Sequence, residues 1–334
     1  MIFSPNDIVD PLRVIDVVTL FTIRLESTMS WHLTGRVPLK MELSDKEITR
    51  KEPVPSRYPI VTSVRFTKEF RRGLVSRLGP PAGFPQTPSP KFLGDKNDLQ
   101  ETSRATGIIA KTLRQIAINL NLAPVVDLDL NPEGLISRSG RSFGKDLQLV
   151  YQHAKAFILA HRNERILTTL KHFPGKGSAG EDTHFQMAEV TSLYREEELE
   201  PFSRLIGEGL ADTVMTSHIN HRGWDKEFPV TLSPKILQGL LRGKLGYQGV
   251  IISDDLLMGA IIKQFSIEEA CVLAVQAGVD ILLASNNSPE GYDPDLPWKM
   301  FAAVCRGIDQ GRIPESTVEK AYERIKVLKK RLTS

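Results

Sequence analysis

The chain has 334 residues, 41% of them hydrophobic and 25% charged, ordinary values for a globular protein with room for a large core. Its 43 basic and 40 acidic residues leave a net charge of only +3, which argues against nucleic acid or an anionic membrane as partner. The two cysteines, Cys271 and Cys305, lie in apolar helical stretches and read as small buried hydrophobes, not as a disulfide pair or a metal site.

Met1 to Asp10 carries no basic segment followed by an apolar run, so no secretory leader is read there. Val14 to Ile23 contains Asp16 and is too short to cross a bilayer, and the expected location is the cytoplasm. Residues 1–56 carry the weakest pattern: Val17 to Ile23 reads as a strand and Ser27 to Leu39 as a short helix and turn. Ile60 to Val64 is a second strand, followed by a basic stretch, Lys68 to Arg77, and a Pro/Gly-rich loop from Gly79 to Pro90.

From Asp98 the pattern becomes regular. Asp98 to Leu120 has helical apolar spacing, and Ala123 to Leu130 reads as a buried strand running into Asp127 and Asp129. Helix Gly144 to Ala160 leads to strand Ile166 to Leu170, and helix Glu196 to Gly209 to strand Asp212 to His218. Ser233 caps a helix to Leu245 before strand Gly249 to Asp255. Ser266 and Glu269 form a capping box at the start of a helix to Gly278, ahead of strand Val279 to Asn287. Helices Met300 to Gly311 and Pro314 to Leu332 close the chain.

Strands apolar along their whole length are buried on both faces, which implies a parallel sheet covered by helices. A polar residue at the C-terminal end of each strand is the arrangement of a (β/α)8 barrel. The expectation is therefore a single-domain α/β protein, a TIM-like barrel irregular in its N-terminal quarter. A doubly wound open sheet is the alternative, although no Gly-x-Gly-x-x-Gly turn follows a first strand.

On the barrel reading one rim carries Asp127, Asp129, Lys171, His172, His218, Asp254, Asp255, Asn286 and Asn287, with Asp182 and His184 on a loop above it. Of Asp254 and Asp255, one is expected to cap the following turn and the other to serve chemistry, because a carboxylate in apolar surroundings must be partnered or used. Asp182-Thr183-His184 can act as a proton carrier, the Asp fixing the tautomer of the His. Lys171 and His172 either donate to substrate oxygens or form a salt bridge and a satisfied buried His. His218 and His221 are spaced His-x-x-His, unlike the usual His-x-His of metal barrels, and no metal is expected. His153 and His161 read as structural.

Lys171-His172-Phe173-Pro174-Gly175-Lys176-Gly177, continuing to Asp182-Thr183-His184, resembles the Lys-His-Phe-Pro-Gly-His-Gly…Asp-Ser-His signature of glycoside hydrolase family 3 β-N-acetylhexosaminidases, bacterial enzymes that remove N-acetylglucosamine from cell-wall fragments. Leu122 to Asp129 with Arg141-Ser142-Phe143, Met215 to His218, Gly249 to Met258, Ser266 to Ala284 and Gly311 to Leu332 extend the resemblance over about residues 75–334. It implies Asp254 as nucleophile, His184 as general acid/base oriented by Asp182, and Lys171, His172 and Arg141 as holders of sugar hydroxyls. Arg77 matches the Arg of the family's Asp-Gln-Glu-Gly-Gly-x-Val-x-Arg-Leu segment, and Glu69 stands in place of its sugar-binding Asp. Two departures stand out: Glu69-Phe70-Arg71-Arg72-Gly73 replaces Asp-Gln-Glu-Gly-Gly, and Lys176 stands where the family has a second His.

The implied activity is retaining, exo-acting release of terminal N-acetylglucosamine from muropeptide or chitin-type glycosides by a monomer with no cofactor. A carbohydrate is its only expected partner, with neither nucleic acid nor membrane involved. The alternatives are a β-glucosidase or β-xylosidase of the same family, a phosphorylase, and a barrel that binds sugar with impaired catalysis.

Overall fold

In the computed structural model of the chain, residues 84–180, 182–183, 185–286 and 292–332 are described, together with the backbone of two short antiparallel pairs, Glu42–Leu43 with Lys46–Glu47 and Phe66–Lys68 with Leu74–Ser76. The expected elements Val17 to Ile23, Ser27 to Leu39 and Ile60 to Val64 lie outside the described residues.

Five strands build one parallel sheet: β1 (Leu120–Asn121), β2 (Leu167–Phe173), β3 (Thr213–Thr216), β4 (Val250–Asp255) and β5 (Ile281–Leu283). Their spatial order follows the chain, with Leu120 opposite Leu167, Thr169 opposite Thr213, Val250 opposite Thr213 and Ile252 opposite Ile281. A doubly wound sheet reverses its strand order at a switch point, and no reversal occurs among these strands, which removes that alternative for them. The five parallel strands form an open wall; an eight-stranded closed barrel is not seen among the described residues.

Strand alternation sorts the core into two layers. Leu170, Val214, Ile251 and Leu282 face the helices and join the large core with Phe157, Phe202, Val275 and Val304. Leu167, Met215, Ile252 and Leu283 face the other way and meet Ile325 and Leu328 of the last helix, Glu315–Lys330. Both faces of the wall are thus dry, which is why its strands read as unbroken apolar runs. Two buried aspartates pin its N-terminal edge: Asp212 pairs with Arg162 and Arg331, and Asp280 with Arg242 and Arg324.

The helices start where their capping residues stand. Asp98 accepts from the N–H groups of Gln100 and Glu101 ahead of Leu99–Gln115, and Asp146 accepts from Leu149 ahead of Leu147–Asn163. Ser266 caps Ile267–Ala277 by accepting from Glu269 N–H, but the expected capping box is not completed, because the Glu269 carboxylate turns to Arg312 at 2.9 Å. The expected strand Ala123 to Leu130 is also displaced. Regular strand pairing is confined to β1; beyond it Pro124 has no N–H to give, and the segment stays on β2 through the bridge between Val125 and Lys171, with Thr169 N–H donating to the Ala123 carbonyl and Val126 N–H to the Lys171 carbonyl, both at 2.8 Å.

Candidate active site

The sheet's C-terminal edge brings together side chains from three strand ends. Asp127 lies beyond β1 and is completely buried. Its Oδ2 is 2.7 Å from Nδ1 of His172, and its Oδ1 accepts from the backbone N–H groups of His172 and Lys176, both at 3.1 Å. Arg141 Nη2 lies 3.4 Å from His172 Nε2; a guanidinium can only donate, so Nε2 carries the lone pair and Nδ1 the proton that Asp127 accepts. Burial pushes the Asp127 carboxyl up to about 6, against the opposing pull of Lys176, the two N–H donors and Arg141.

Asp254 and Asp255 end β4 with different surroundings. Asp254 is 4% exposed, its N–H donates to Thr216 Oγ1 at 3.3 Å, and its Oδ1 accepts from Asp255 N–H at 2.9 Å. Asp255 Oδ1 accepts from the N–H groups of Leu257 and Ser285, both at 3.1 Å, and so closes the turn after β4 against the end of β5. Asp255 is the capping carboxylate, and Asp254 is the one turned toward charged groups of the rim. His218 stands behind them: its Nε2 donates to the Asp255 carbonyl at 2.9 Å, and its Nδ1 lies 2.8 Å from Thr231 Oγ1. Burial lowers the basicity of that imidazole, as expected for a neutral ring with both nitrogens satisfied.

The segment after β2 is packed, not loose. Residues 171–179 are buried throughout. Glu198 Oε2 accepts from Gly177 N–H at 2.7 Å and Ser178 N–H at 3.2 Å, and Tyr194 Oη donates to the Pro174 carbonyl at 2.9 Å. The glycine at 177 serves close approach: a Cβ there would lie 1.9 Å from the Leu128 carbonyl oxygen. Lys176 projects from this turn into the interior, its Nζ 3.4 Å from Thr183 Oγ1, with Asp254, Asp127, Asp182 and Arg141 acting on its charge. Asp182 is half-buried, and its carbonyl accepts from Phe185 N–H at 2.9 Å, while the Thr183 carbonyl accepts from Ala260 N–H at 3.2 Å.

The structure thus gathers Asp127, Arg141, His172, Lys176, Asp182 and Asp254 at one edge. Lys171 is buried and lines a cavity with Arg141, Phe143 and Pro124, whose remaining walls are apolar apart from Thr106. That cavity lies beside β1, so the cluster of charged groups, not the cavity, defines the site. Two rim residues belong elsewhere: Asp129 accepts from Ser137, and Asn286 closes its own loop against the backbone of Asp293; Asn287 lies outside the described residues. His184, Arg77 and Glu69 also lie outside the described residues. His153 and His161 are structural, bonded to Thr102 and Asn121 between packed helices and β1. Asp127 carries the role that sequence reading missed, although a carboxylate after an apolar run was the same signal that marked Asp254. Among the described residues no three His, Cys, Asp or Glu side chains are grouped to hold a metal ion, and no helix is long and apolar enough to cross a membrane.

The arrangement suits a neutral, polyhydroxylated substrate. A guanidinium and an oriented imidazole supply donors and an acceptor, and a shielded carboxylate lies near a lysine. Residues 37–328 match the glycosyl hydrolase family 3 N terminal domain. An uncharacterized secreted glycosyl hydrolase of Arthroderma benhamiae is 32% identical over 294 residues, 85% of this chain and 78% of that one. The β-hexosaminidase of Tolumonas auensis is 36% identical over 211 residues, 61% of this chain and 62% of that one. The structure of a glycoside hydrolase family 3 β-N-acetylglucosaminidase from Paenibacillus sp. superposes with a TM-score of 0.71 at 31% identity, covering 82% of this chain. The chain spans 49% of that protein's length.

Proposed function

The chain matches the N terminal domain of glycosyl hydrolase family 3 and belongs to that family, and on that footing we propose that it is a retaining exo-β-N-acetylglucosaminidase acting on terminal N-acetylglucosamine of cell-wall or chitin-type glycosides. The observation that carries the reading is the buried Asp254 at the end of β4, with Asp182 and Lys176 close enough to act in the same electrostatic field.

Asp254 Oδ attacks the anomeric carbon as the bond to the aglycone oxygen breaks, and His184 gives its proton to that oxygen. Water then attacks the glycosyl ester, His184 takes the water's proton, and Asp254 leaves as a carboxylate. Two inversions give retention. Asp182 orients His184, and Arg141, Lys171 and His172, with Arg77 and Glu69, hold the sugar hydroxyls. No cofactor enters these steps.

The test is hydrolysis of an aryl β-N-acetylglucosaminide alongside the aryl β-glucoside and β-xyloside. The expected outcome is preference for the N-acetylated sugar, accumulation of a glycosyl ester on Asp254 with a slow fluorosugar substrate, and loss of turnover in Asp254→Asn. Equal cleavage by Asp254→Asn would sink the mechanism. Release of sugar 1-phosphate in phosphate buffer would replace hydrolysis by phosphorolysis, and saturable sugar binding without turnover would leave only a binding protein.

A further inference from the structure

The sequence departs from the family signature at Lys176, and the structure shows what the departure places in the site. Lys176 is 5% exposed, in a segment whose backbone is anchored to Asp127 and Glu198. A lysine so buried must have its charge matched. Asp127 is already engaged by His172 Nδ1 and by two backbone N–H groups, so the Lys176 ammonium is not needed to satisfy it. Its own contact runs to Thr183 Oγ1 at 3.4 Å, on the segment that carries Asp182.

The charged and titratable groups facing Lys176 come from every element around it: Asp127 after β1, Arg141, Asp182 on its own loop, Asp254 at the end of β4, and His218 beyond β3. Asp254 acts on it more strongly than the other two carboxylates do. Burial is the largest influence and leaves its basicity below the ordinary lysine range, with Arg141 pulling the same way and the three carboxylates offsetting part of the loss. A histidine, the residue of the family signature, loses its charge near neutrality, whereas a lysine starts from a far more basic ordinary value and here faces three carboxylates that favour its ammonium form.

Resting on the reading of Asp254 as nucleophile, we propose that Lys176 is a positioning residue, the counter-ion shared by Asp254 and the Asp182–Thr183 segment. It keeps the nucleophile ionised in the free enzyme and draws the segment bearing the acid/base partner down onto it. When Asp254 becomes esterified its charge is consumed, and the ammonium then favours the step that returns Asp254 to a carboxylate.

The experiment compares the parent with Lys176→Gln and Lys176→Arg. The acid limb of kcat/KM reports ionisation in the free enzyme, and in Lys176→Gln it should move up by about one pH unit, a loss approaching tenfold on the acid side of the parent's limb, while Lys176→Arg stays near the parent. An unshifted limb in the Gln variant overturns the proposal. Amide hydrogen exchange over residues 182–186 provides a readout without turnover: about tenfold faster in Lys176→Gln, with β4 unchanged. If the parent cleaves no aryl N-acetylglucosaminide, the function reading fails alone and exchange decides for Lys176, unchanged exchange overturning the tether. Should Lys176→Gln not fold, Lys176→Gln/Asp182→Asn removes a carboxylate with the ammonium and should recover folding, and failure to recover it overturns the shared-ion account.

Discussion

His172 Nδ1 and Asp127 Oδ2 lie 2.7 Å apart across the ends of β1 and β2, and the same carboxylate holds the backbone N–H groups of His172 and Lys176. One buried side chain therefore fixes both a tautomer and the start of the loop that follows. Asp127→Asn would keep the shape but present an amide where the imidazole N–H needs an acceptor. Loss of one charge-assisted bond is worth about 1.5–3 kcal/mol, so kcat/KM should fall roughly ten- to a hundredfold. Steady-state kinetics on the aryl substrate checks this, and parental kinetics would show that the pair is structural only.

The two carboxylates of β4 should separate activity from stability. Asp255→Ala leaves the N–H groups of Leu257 and Ser285 without their acceptor, at about 1–3 kcal/mol for each buried donor. Its melting temperature should drop by several degrees, while the folded fraction keeps turnover within about tenfold of the parent. Asp254→Asn should do the reverse, melting like the parent and losing at least about a thousandfold in turnover. Thermal melts and activity on the same preparations decide it, and a reversed pattern would exchange the two assignments.

Much of this wall was legible because its strands are dry on both faces, as at Val250-Ile251-Ile252 and Ile281-Leu282-Leu283. The end of β1 was not, since Pro124 breaks the ladder and a periodicity argument runs the strand on to Leu130. Asp254 was legible as a carboxylate after an apolar run. Asp127 was visible on the same grounds, but its partner is 45 residues away and no local pattern encodes the pairing. Lys176 stood out only as a departure from a signature; that its ammonium turns inward among carboxylates is a fact of the packed loop. The placement of His184, Arg77 and Glu69 rests on the resemblance, because these residues lie outside those described.

Gly177 separates close packing from hinge motion. Its missing Cβ is required by the Leu128 backbone, whose carbonyl oxygen and carbon would lie 1.9 and 2.8 Å from it. Gly177→Ala must push apart two backbone segments, with an expected cost of about 3 kcal/mol or more and loss of activity through displaced Lys176 and Asp127. At Gly180 a Cβ meets only Asn131 Nδ2, at 3.4 Å, and Gly180→Ala should fold and melt within about 1 kcal/mol of the parent. Denaturant titration of both variants checks the contrast; equal tolerance at the two positions would show that the absent Cβ at Gly177 is not required by packing.

Two buried groups should pull stability in opposite directions on acidification. His161 donates from Nδ1 to the Phe157 carbonyl at 3.0 Å, accepts at Nε2 from Asn121 at 3.0 Å, and burial lowers its imidazole to about 4. Between pH 6.5 and 4 the unfolded chain binds a proton there that the folded one refuses, so the fold loses up to about 3 kcal/mol as pH falls. Asp127, raised to about 6, takes up its proton in the folded state first, so between pH 6 and 4 its titration returns up to about 3 kcal/mol. The parent should therefore show a flattened profile over this window. His161→Gln should gain stability relative to the parent as pH drops from 7 to 4, and Asp127→Asn should lose it. Urea unfolding of the three proteins at pH 7, 5.5 and 4 measures both differences, and parallel profiles would mean that neither group titrates as its burial requires.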